Sequence, residues 1–218
     1  PERLPASESL FEARQLGHPL IPVDRKVRND FRTTAGEITI LTGSNMAGKS
    51  AFLKALGLNL ALVQAGGPVD ADRLATTPFR LFASIQVTDS VTDGISYFYA
   101  EVQRLRALVD ALERERGWPL FFMVDEIFRG TNNRERLIGS RALIQRMAGQ
   151  RGTGLIATHD LELVHLAEQS LFIRNKHFEE RVVDGRMDFA YQLLDGPSVT
   201  TNALLIMQGA GLLPDTGS

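Results

Sequence analysis

The sequence predicts an α/β fold with a mostly parallel central sheet flanked by helices. Three short apolar runs carry this prediction, at residues 38–41, with Thr39 inside, at 120–124 and at 155–157. Continuous apolar runs of this length, bounded by turn residues, are typical of strands buried on both faces of a parallel sheet. Segments with apolar residues at helical spacing lie between them, so strands and helices are expected to alternate along the chain.

The composition excludes several classes of protein. A chain of 218 residues is long enough to bury roughly 70% of its unfolded surface in a sizeable core. Its net charge is −2 without a Lys/Arg block, so no nucleic-acid surface of its own is predicted. It has no cysteine, which excludes disulfides and Cys-based zinc or thiol chemistry, and a cytoplasmic location is expected.

The ends of the chain carry fewer signals. Residues 1–16 contain few strong apolar points and are predicted to be a linker or edge segment. No run approaches the roughly 18 apolar residues of a membrane span. Because the chain begins at Pro1 rather than Met, we expect a longer protein, whose other parts could include a targeting or membrane segment.

The central part is predicted to continue with a strand within 81–87 and a polar loop over residues 89–96. This loop opens a long helix with an apolar stripe, which is predicted to pack on the core. Asp184-Gly185 lies between two extended segments and predicts a β-hairpin. A short helical tail is predicted within 198–214, followed by a frayed terminus at 215–218.

The most informative stretch directly follows the first apolar run. It fits the pattern G-x-x-x-x-G-K-[ST] and reads Gly43-Ser44-Asn45-Met46-Ala47-Gly48-Lys49-Ser50. In the order strand, glycine-rich loop, helix, backbone N–H groups can surround a phosphate, and the helix N-terminus favours the anion. Lys49 is predicted to reach the β and γ phosphates and Ser50 to bind Mg²⁺, which predicts a P-loop and a nucleoside triphosphate ligand; the alternative is a chance glycine turn.

Two acids follow the second apolar run. Asp125 and Glu126 stand at the carboxyl end of a predicted buried strand, where unpaired carboxylates are costly and a cation or polar ligand is expected. Asp125 is predicted to help hold Mg²⁺, partly through water, and Glu126 to polarise the attacking water. The alternative is that the pair caps the following helix.

The third apolar run ends in Thr158-His159-Asp160. A histidine at the end of a core strand, behind two phosphate-site motifs, is predicted to contact the γ-phosphate. Alone, the same residue would more often be a packed or capping side chain.

Together, these three motifs resemble the ATPase domain of the MutS family, the DNA mismatch repair family within the ABC-type ATPases. The resemblance covers about residues 17–214, and its most specific parts are Asn45-Met46 and the run Asp125-Glu126-Ile127-Phe128-Arg129-Gly130-Thr131. It implies a homodimer in which two such domains enclose two ATP molecules, with DNA bound by regions outside this chain.

The resemblance also implies roles for single residues. Ser96 would reach the γ-phosphate of the partner's site, and Asn45 would help to organise that phosphate. Val27 would lie along the adenine and the ring of Tyr191 would contact it. Positions 43–51, from Gly43 to Ala51, would form the phosphate-binding loop.

Several residues differ from the family pattern. Ala47 replaces a glycine, Ala51 replaces a threonine, and Ile95 stands where an arginine is frequent. Phe128 and Arg134-Glu135-Arg136 also differ from the repair enzymes. The residues that the chemistry needs are present, so these differences predict a divergent branch rather than an inactive domain.

Two alternatives belong to other classes of protein. An ABC transporter cassette is disfavoured because the interval between Lys49 and Asp125 leaves little room for a helical subdomain, and no Leu-Ser-Gly-Gly-Gln run precedes Asp125. A nucleotide-dependent scaffold that binds ATP with negligible turnover remains open.

Overall fold

A computed structural model describes residues 1–4, 10–44, 46–85, 94–114, 117–128, 130–183 and 186–198, without the side chains of residues 3, 94–97, 180–183 and 186–187. The strands in these ranges are β1 (Glu2–Arg3), β2 (Phe11–Leu16), β3 (Asn29–Thr33), β4 (Ile38–Thr42), β5 (Arg73–Thr76), β6 (Arg80–Ser84), β7 (Leu120–Asp125), β8 (Gly152–Ala157), β9 (Ile173–Val183) and β10 (Arg186–Asp195). The helices are α1 (Lys49–Gln64), α2 (Gly94–Leu112), α3 (Asn133–Met147) and α4 (Leu166–Gln169), with 3-10 turns at Val23–Arg25 and Leu161–His165.

The larger sheet has six strands in the order β10-β9-β4-β8-β7-β6. Neighbouring strands pair in parallel, except that β9 and β10 form an antiparallel hairpin at one edge. β4, β7 and β8 are buried along their whole length, as the apolar runs within them predict. The prediction of an α/β fold is therefore confirmed, with a sheet that is mixed at the hairpin.

The two faces of this sheet pack on different layers because side chains alternate along each strand. Leu41, Met123 and Leu155 lie in one apolar cluster with helix α1. Ile40 and Ile156 lie in a second cluster with α2 and α3 on the opposite face. Burying each such side chain contributes about 1.5–3 kcal/mol to the stability of the fold. The sheet is therefore held firmly between the two layers, and so are the ends of its strands.

The structure corrects the expectation for the first sixteen residues. Residues 11–16 form β2, which lies inside a four-stranded sheet of order β1-β5-β2-β3 rather than in a linker or at an edge. Phe11 is fully buried, and its ring contacts those of Phe31 and Phe121 at centroid distances of 6.1 and 5.5 Å. These contacts join residues that are distant in the sequence, so the residues around Phe11 do not indicate that it is buried.

The long helix and the hairpin follow the predictions. Leu105, Val109 and Leu112 of α2 are buried in the second cluster, which confirms that the apolar stripe contacts the core. β9 and β10 confirm the predicted hairpin. Its turn residues Asp184 and Gly185, the predicted tail beyond residue 198 and the terminus at 215–218 lie outside the described residues.

Within the described ranges, none of the helices combines the length and the apolar character needed to span a membrane.

Candidate functional site

The glycine-rich loop connects β4 to α1 and ends at a glycine in the left-handed region. Gly48 precedes the first residue of α1 with φ 104°, and Gly43 opens the loop with φ 137°. Residues other than glycine rarely adopt such φ values. A Cβ atom on Gly48 would also lie 3.0 Å from the ring of Tyr191. The loop therefore needs glycine at this position for both its backbone and its contact with Tyr191.

Lys49 lies inside the curve of this loop. Its side chain is almost fully buried, at 3% exposure, and Nζ donates hydrogen bonds to the carbonyl oxygens of Gly43, at 2.5 Å, and Ser44, at 2.6 Å. An ammonium group this deeply buried requires acceptors around it. The ammonium group of Lys49 is thus held by the backbone of the glycine-rich loop.

Ser50 and Asp125 are brought together although they lie on different elements. Ser50 stands in the first turn of α1, Asp125 is the last residue of β7, and Ser50 Oγ donates to Asp125 Oδ2 at 2.5 Å. Asp125 is buried. A hydroxyl and a carboxylate at this distance form a set of hard oxygen ligands of the kind that Mg²⁺ prefers. Both residues predicted for the metal therefore share one location.

Glu126 follows β7 in a strained backbone conformation. Its φ of 67° lies in the left-handed region, and its N–H donates to the carbonyl oxygen of Ala157 at 2.9 Å. Such conformations cost about 1–3 kcal/mol in non-glycine residues and concentrate at functional sites. The side chain is 5% exposed, and Oε2 lies 2.8 Å from Nδ1 of His159.

His159 lies beside β8, on the same edge of the sheet as the loop and the two acids. The preceding Thr158 donates its N–H to the carbonyl oxygen of Leu41 at 2.9 Å, which ties this segment to the end of β4. The His159 side chain is 47% exposed, in contrast to Glu126. One ring edge thus contacts a buried carboxylate while the ring remains accessible to a ligand.

Sequence reasoning assigned no role to an ion pair that borders this histidine. Arg136, in the first part of α3, donates from Nε to Oδ2 and from a terminal nitrogen to Oδ1 of Asp160, both at 2.9 Å. The hydrogen bond to Asp160 is the largest cause that raises the pKa of Arg136; burial opposes it, and the charges of Asp160 and Glu126 add to the rise. A guanidinium paired with both carboxylate oxygens is a strong and directional contact.

A cavity of about 340 Å³ lies beside the glycine-rich loop. Val27 and Tyr191, which the family resemblance brings to the adenine, line it together with Gly48 and Ala51. The position of Tyr191 depends on Asn29, whose Nδ2 donates to the carbonyl oxygen of Tyr191 at 3.0 Å. Sequence reasoning missed Asn29, because its partners in β10 are far along the chain.

Of the remaining predicted site residues, the structure describes the side chains of some and not of others. Met46 and Ala47 of the loop are described: Met46 is exposed and Ala47 is buried. Asn45 and the first part of the 89–96 loop lie outside the described residues. Ser96 falls in the first turn of α2, and its side chain is not among those described. The roles of Asn45 and Ser96 stay predictions.

The loop after Glu126 is anchored to α2 near this turn. Glu101 accepts a hydrogen bond from the N–H of Phe128 at 2.7 Å, and the rings of Phe98 and Phe128 lie 6.2 Å apart. Phe128 itself has φ 56°. The loop that follows Glu126 is therefore held against α2 by contacts of Phe128 with Glu101 and Phe98.

The fold and the site define an α/β domain whose polar residues gather at the carboxyl ends of three parallel strands, beside a glycine-rich loop. Residues 39–215 match the family model MutS domain V. The chain belongs to the MutS family.

Curated relatives agree with this assignment. The chain is 30% identical over 208 residues to the DNA mismatch repair protein MutS 2 of Haloarcula marismortui, an alignment that covers 92% of this chain and 21% of that protein. It is 32% identical over 200 residues to the DNA mismatch repair protein MutS of Thermus thermophilus, covering 89% of this chain and 23% of that protein. The chain thus spans about a fifth of the length of these relatives.

Proposed function

We propose that this chain binds ATP together with Mg²⁺ and hydrolyses the bond between the β and γ phosphates. One observation carries the proposal: Lys49, the Ser50–Asp125 pair and the Glu126–His159 pair lie on one edge of the sheet, next to the cavity. Ligands of open α/β sheets commonly bind outside the carboxyl ends of the strands.

The residues fit a magnesium nucleotide. The left-handed glycines curve the loop around Lys49, and the backbone at the start of α1 adds a partial positive charge that favours phosphate. Ser50 Oγ and Asp125 Oδ2 would hold Mg²⁺, Asp125 partly through water. The cavity is of a size that accepts a nucleobase, and Tyr191 offers a ring for stacking.

Each acidic and basic side chain then has a separate task. Lys49 would balance the charge of the β and γ phosphates, and the bound metal would supply further positive charge at the phosphate. Glu126 would orient a water molecule and accept its proton. Of the two acids at the end of β7, Asp125 is hydrogen-bonded to Ser50, which leaves Glu126 for this task. His159 would hold Glu126 in place through Nδ1 and face the γ-phosphate from its exposed side.

The test is ATP binding by Lys49→Ala, measured by calorimetry. We expect loss of tight binding, because the buried ammonium at the centre of the loop is removed. Lys54→Ala is a matched control, since Lys54 lies on the same helix and is exposed. Equal ATP affinities of wild type and Lys49→Ala would contradict the proposed site.

The relatives are named DNA mismatch repair proteins, and we extend the proposal to an ATP-driven homodimer whose DNA binding resides outside this chain. The near-neutral net charge of −2 supports the location of DNA binding outside this chain.

In a mixed dimer with Ser96→Ala in one subunit, hydrolysis should fall at the site of the other subunit. A defect confined to the altered subunit's own site would contradict the shared-site arrangement.

A further inference from the structure

The two residues that flank Ile127 both have a left-handed backbone. Glu126 has φ 67° and Phe128 has φ 56°. Residues other than glycine remain in this region only where their surroundings hold them there, because the conformation costs free energy. The segment from Glu126 to Phe128, which we name the left-handed turn, therefore needs contacts outside itself that hold it in place.

Each residue of the left-handed turn has such a contact among the described residues. The N–H of Glu126 donates to the carbonyl oxygen of Ala157 at 2.9 Å, and the side chain of Ile127 is buried in the second apolar cluster. The N–H of Phe128 donates to Oε1 of Glu101 at 2.7 Å. The sheet and the core supply the first two contacts, whereas a single side chain of α2 supplies the third.

Glu101 stands on the side of α2 that faces the core. Leu105, Leu108 and Leu112 follow it at helical spacing, and all three are buried. The Oε2 atom of Glu101 is shielded from solvent, so the carboxylate is directed inward. A carboxylate that accepts a backbone N–H forms a charge-assisted hydrogen bond, which is stronger than a hydrogen bond to a neutral oxygen. A well-packed helix thus presents a strong acceptor to the left-handed turn.

The ring of Phe128 lies between α2 and α3. Its centroid is 6.2 Å from that of Phe98, and a Cβ atom added to Gly139 of α3 would lie 2.9 Å from Cε2 of the ring. Gly139 therefore leaves the space that the ring occupies. These contacts hold the side chain of Phe128, whereas Glu101 holds its backbone.

We propose that Glu101 is a positioning residue. It holds the backbone of Phe128 and, through the left-handed turn, the carboxylate of Glu126 at the end of β7. Without the acceptor, the turn can relax towards ordinary φ values, and Glu126 moves with it. The effect on hydrolysis rests on the proposed ATPase function, whereas the anchoring of the turn does not.

Three substitutions separate the reach of the Glu101 side chain from its charge. Glu101→Ala removes the acceptor. Glu101→Asp keeps the charge but is one methylene shorter, so its carboxylate falls short of the N–H of Phe128. Glu101→Gln keeps the length and an acceptor oxygen without the charge. We expect Glu101→Ala and Glu101→Asp to release the turn and Glu101→Gln to hold it, and the last two give the comparison even if Glu101→Ala fails to fold.

Hydrogen exchange of backbone amides, followed by NMR of the ¹⁵N-labelled protein, tests the anchoring directly. The amides of Phe128 and Glu126 should exchange about 10-fold faster than in wild type when Glu101 is replaced by alanine or aspartate. In Glu101→Gln they should exchange at nearly the wild-type rate. The internal reference is the N–H of Thr158, which donates to the carbonyl oxygen of Leu41 at 2.9 Å. Its exchange should stay unchanged, whereas a general loss of stability would accelerate it too.

Turnover measurements test the consequence for Glu126. Glu101→Ala and Glu101→Asp should lower kcat about 10-fold with little change in KM, because Glu101 acts through the left-handed turn and not on the nucleotide. In a Glu126→Gln background, Glu101→Ala should cause no further loss, since the carboxylate that it positions is absent. The matched control is Asp110→Ala, an exposed acid on the same helix, which should change neither kcat nor amide exchange.

Unchanged exchange of the Phe128 amide in Glu101→Ala and Glu101→Asp would overturn the inference. So would fast exchange together with a wild-type kcat, or an undiminished loss of turnover from Glu101→Ala in the Glu126→Gln background. A wild-type protein that does not hydrolyse ATP, but shows the expected exchange differences, would contradict the proposed function and support the anchoring of the turn by Glu101.

Discussion

Ser50 Oγ lies 2.5 Å from Asp125 Oδ2, although 75 positions separate the two residues in the sequence. The contact joins the start of α1 to the end of β7 and links the glycine-rich loop to the acid pair. In the proposed function, Mg²⁺ would be held at this contact.

Replacing Ser50 with alanine should weaken the binding of magnesium nucleotide by about 10- to 100-fold, the range typical for loss of a residue that supports a metal. Nucleotide binding without Mg²⁺ should change much less, because Lys49 and the loop backbone remain. Titrations with and without Mg²⁺ measure the difference. Ser170→Ala, at an exposed turn, is the control. Equal losses under both conditions would argue against a metal role.

Gly48→Ala should reduce both stability and nucleotide affinity. The left-handed φ of 104° costs an alanine about 1–2 kcal/mol, and the added Cβ would press on the ring of Tyr191 at 3.0 Å. Gly66→Ala separates the two effects, since Gly66 has φ 76° and no atom within 4 Å of its added Cβ. Urea unfolding and calorimetry should show a stability loss in both variants but an affinity loss only in Gly48→Ala. Full affinity in Gly48→Ala would contradict the assigned loop.

Tyr191→Leu should weaken ATP binding by roughly 1–3 kcal/mol, the range of base stacking on an aromatic side chain. Tyr191 is 43% exposed and lines the cavity together with Val27. Trp118→Leu is the comparison, because Trp118 is exposed but lies at a different cavity. If inorganic triphosphate binding falls as much as ATP binding in Tyr191→Leu, the ring does not contact the base.

A further prediction concerns the dependence of stability on pH. Burial would raise the pKa of Asp70, but the hydrogen bond from Lys26 and the charge of Arg28 outweigh it and lower this pKa below its ordinary value of 3.8. A lowered folded-state pKa means that the unfolded chain binds the proton more readily. The resulting stabilisation is present above a pH of about 4 and is lost as the pH falls through the folded-state pKa.

Asp70→Asn should therefore be less stable than wild type near neutral pH, and the difference should shrink on acidification. Unfolding by urea at several pH values measures this difference. Asp24→Asn is the control, because Asp24 is highly exposed and its contact with Arg25 is long, at 3.9 Å. A difference between wild type and Asp70→Asn that does not vary with pH would show that the carboxylate charge is not the source of the stability.

The sequence predicts the parts of this structure that depend on local patterns. The strands β4, β7 and β8 each contain a short apolar run. The glycine-rich loop follows β4 directly, and the acid pair stands at the end of β7. The four-stranded sheet was not predicted, because the burial of Phe11 depends on Phe31 and Phe121.

The ion pair of Arg136 and Asp160 next to His159 could not be predicted from local patterns either. Arg136 and Asp160 are 24 positions apart and meet because α3 packs against the 3-10 turn that follows Asp160. No spacing rule connects them, and Arg136 looks like one of several charged residues at the start of a helix. Asn29, which fixes Tyr191 across 162 positions, is a similar case. Tertiary contacts of single polar residues leave no pattern in the sequence.

The most direct test of the account compares ATP binding and hydrolysis by wild type and Glu126→Gln. Glutamine keeps the size of the side chain but cannot accept the proton of water. The account predicts that hydrolysis falls by about 10²- to 10⁴-fold while ATP stays bound. Turnover in Glu126→Gln equal to that of an active wild type would contradict the role of Glu126, and equal rates near zero in both proteins would favour a nucleotide-dependent scaffold instead.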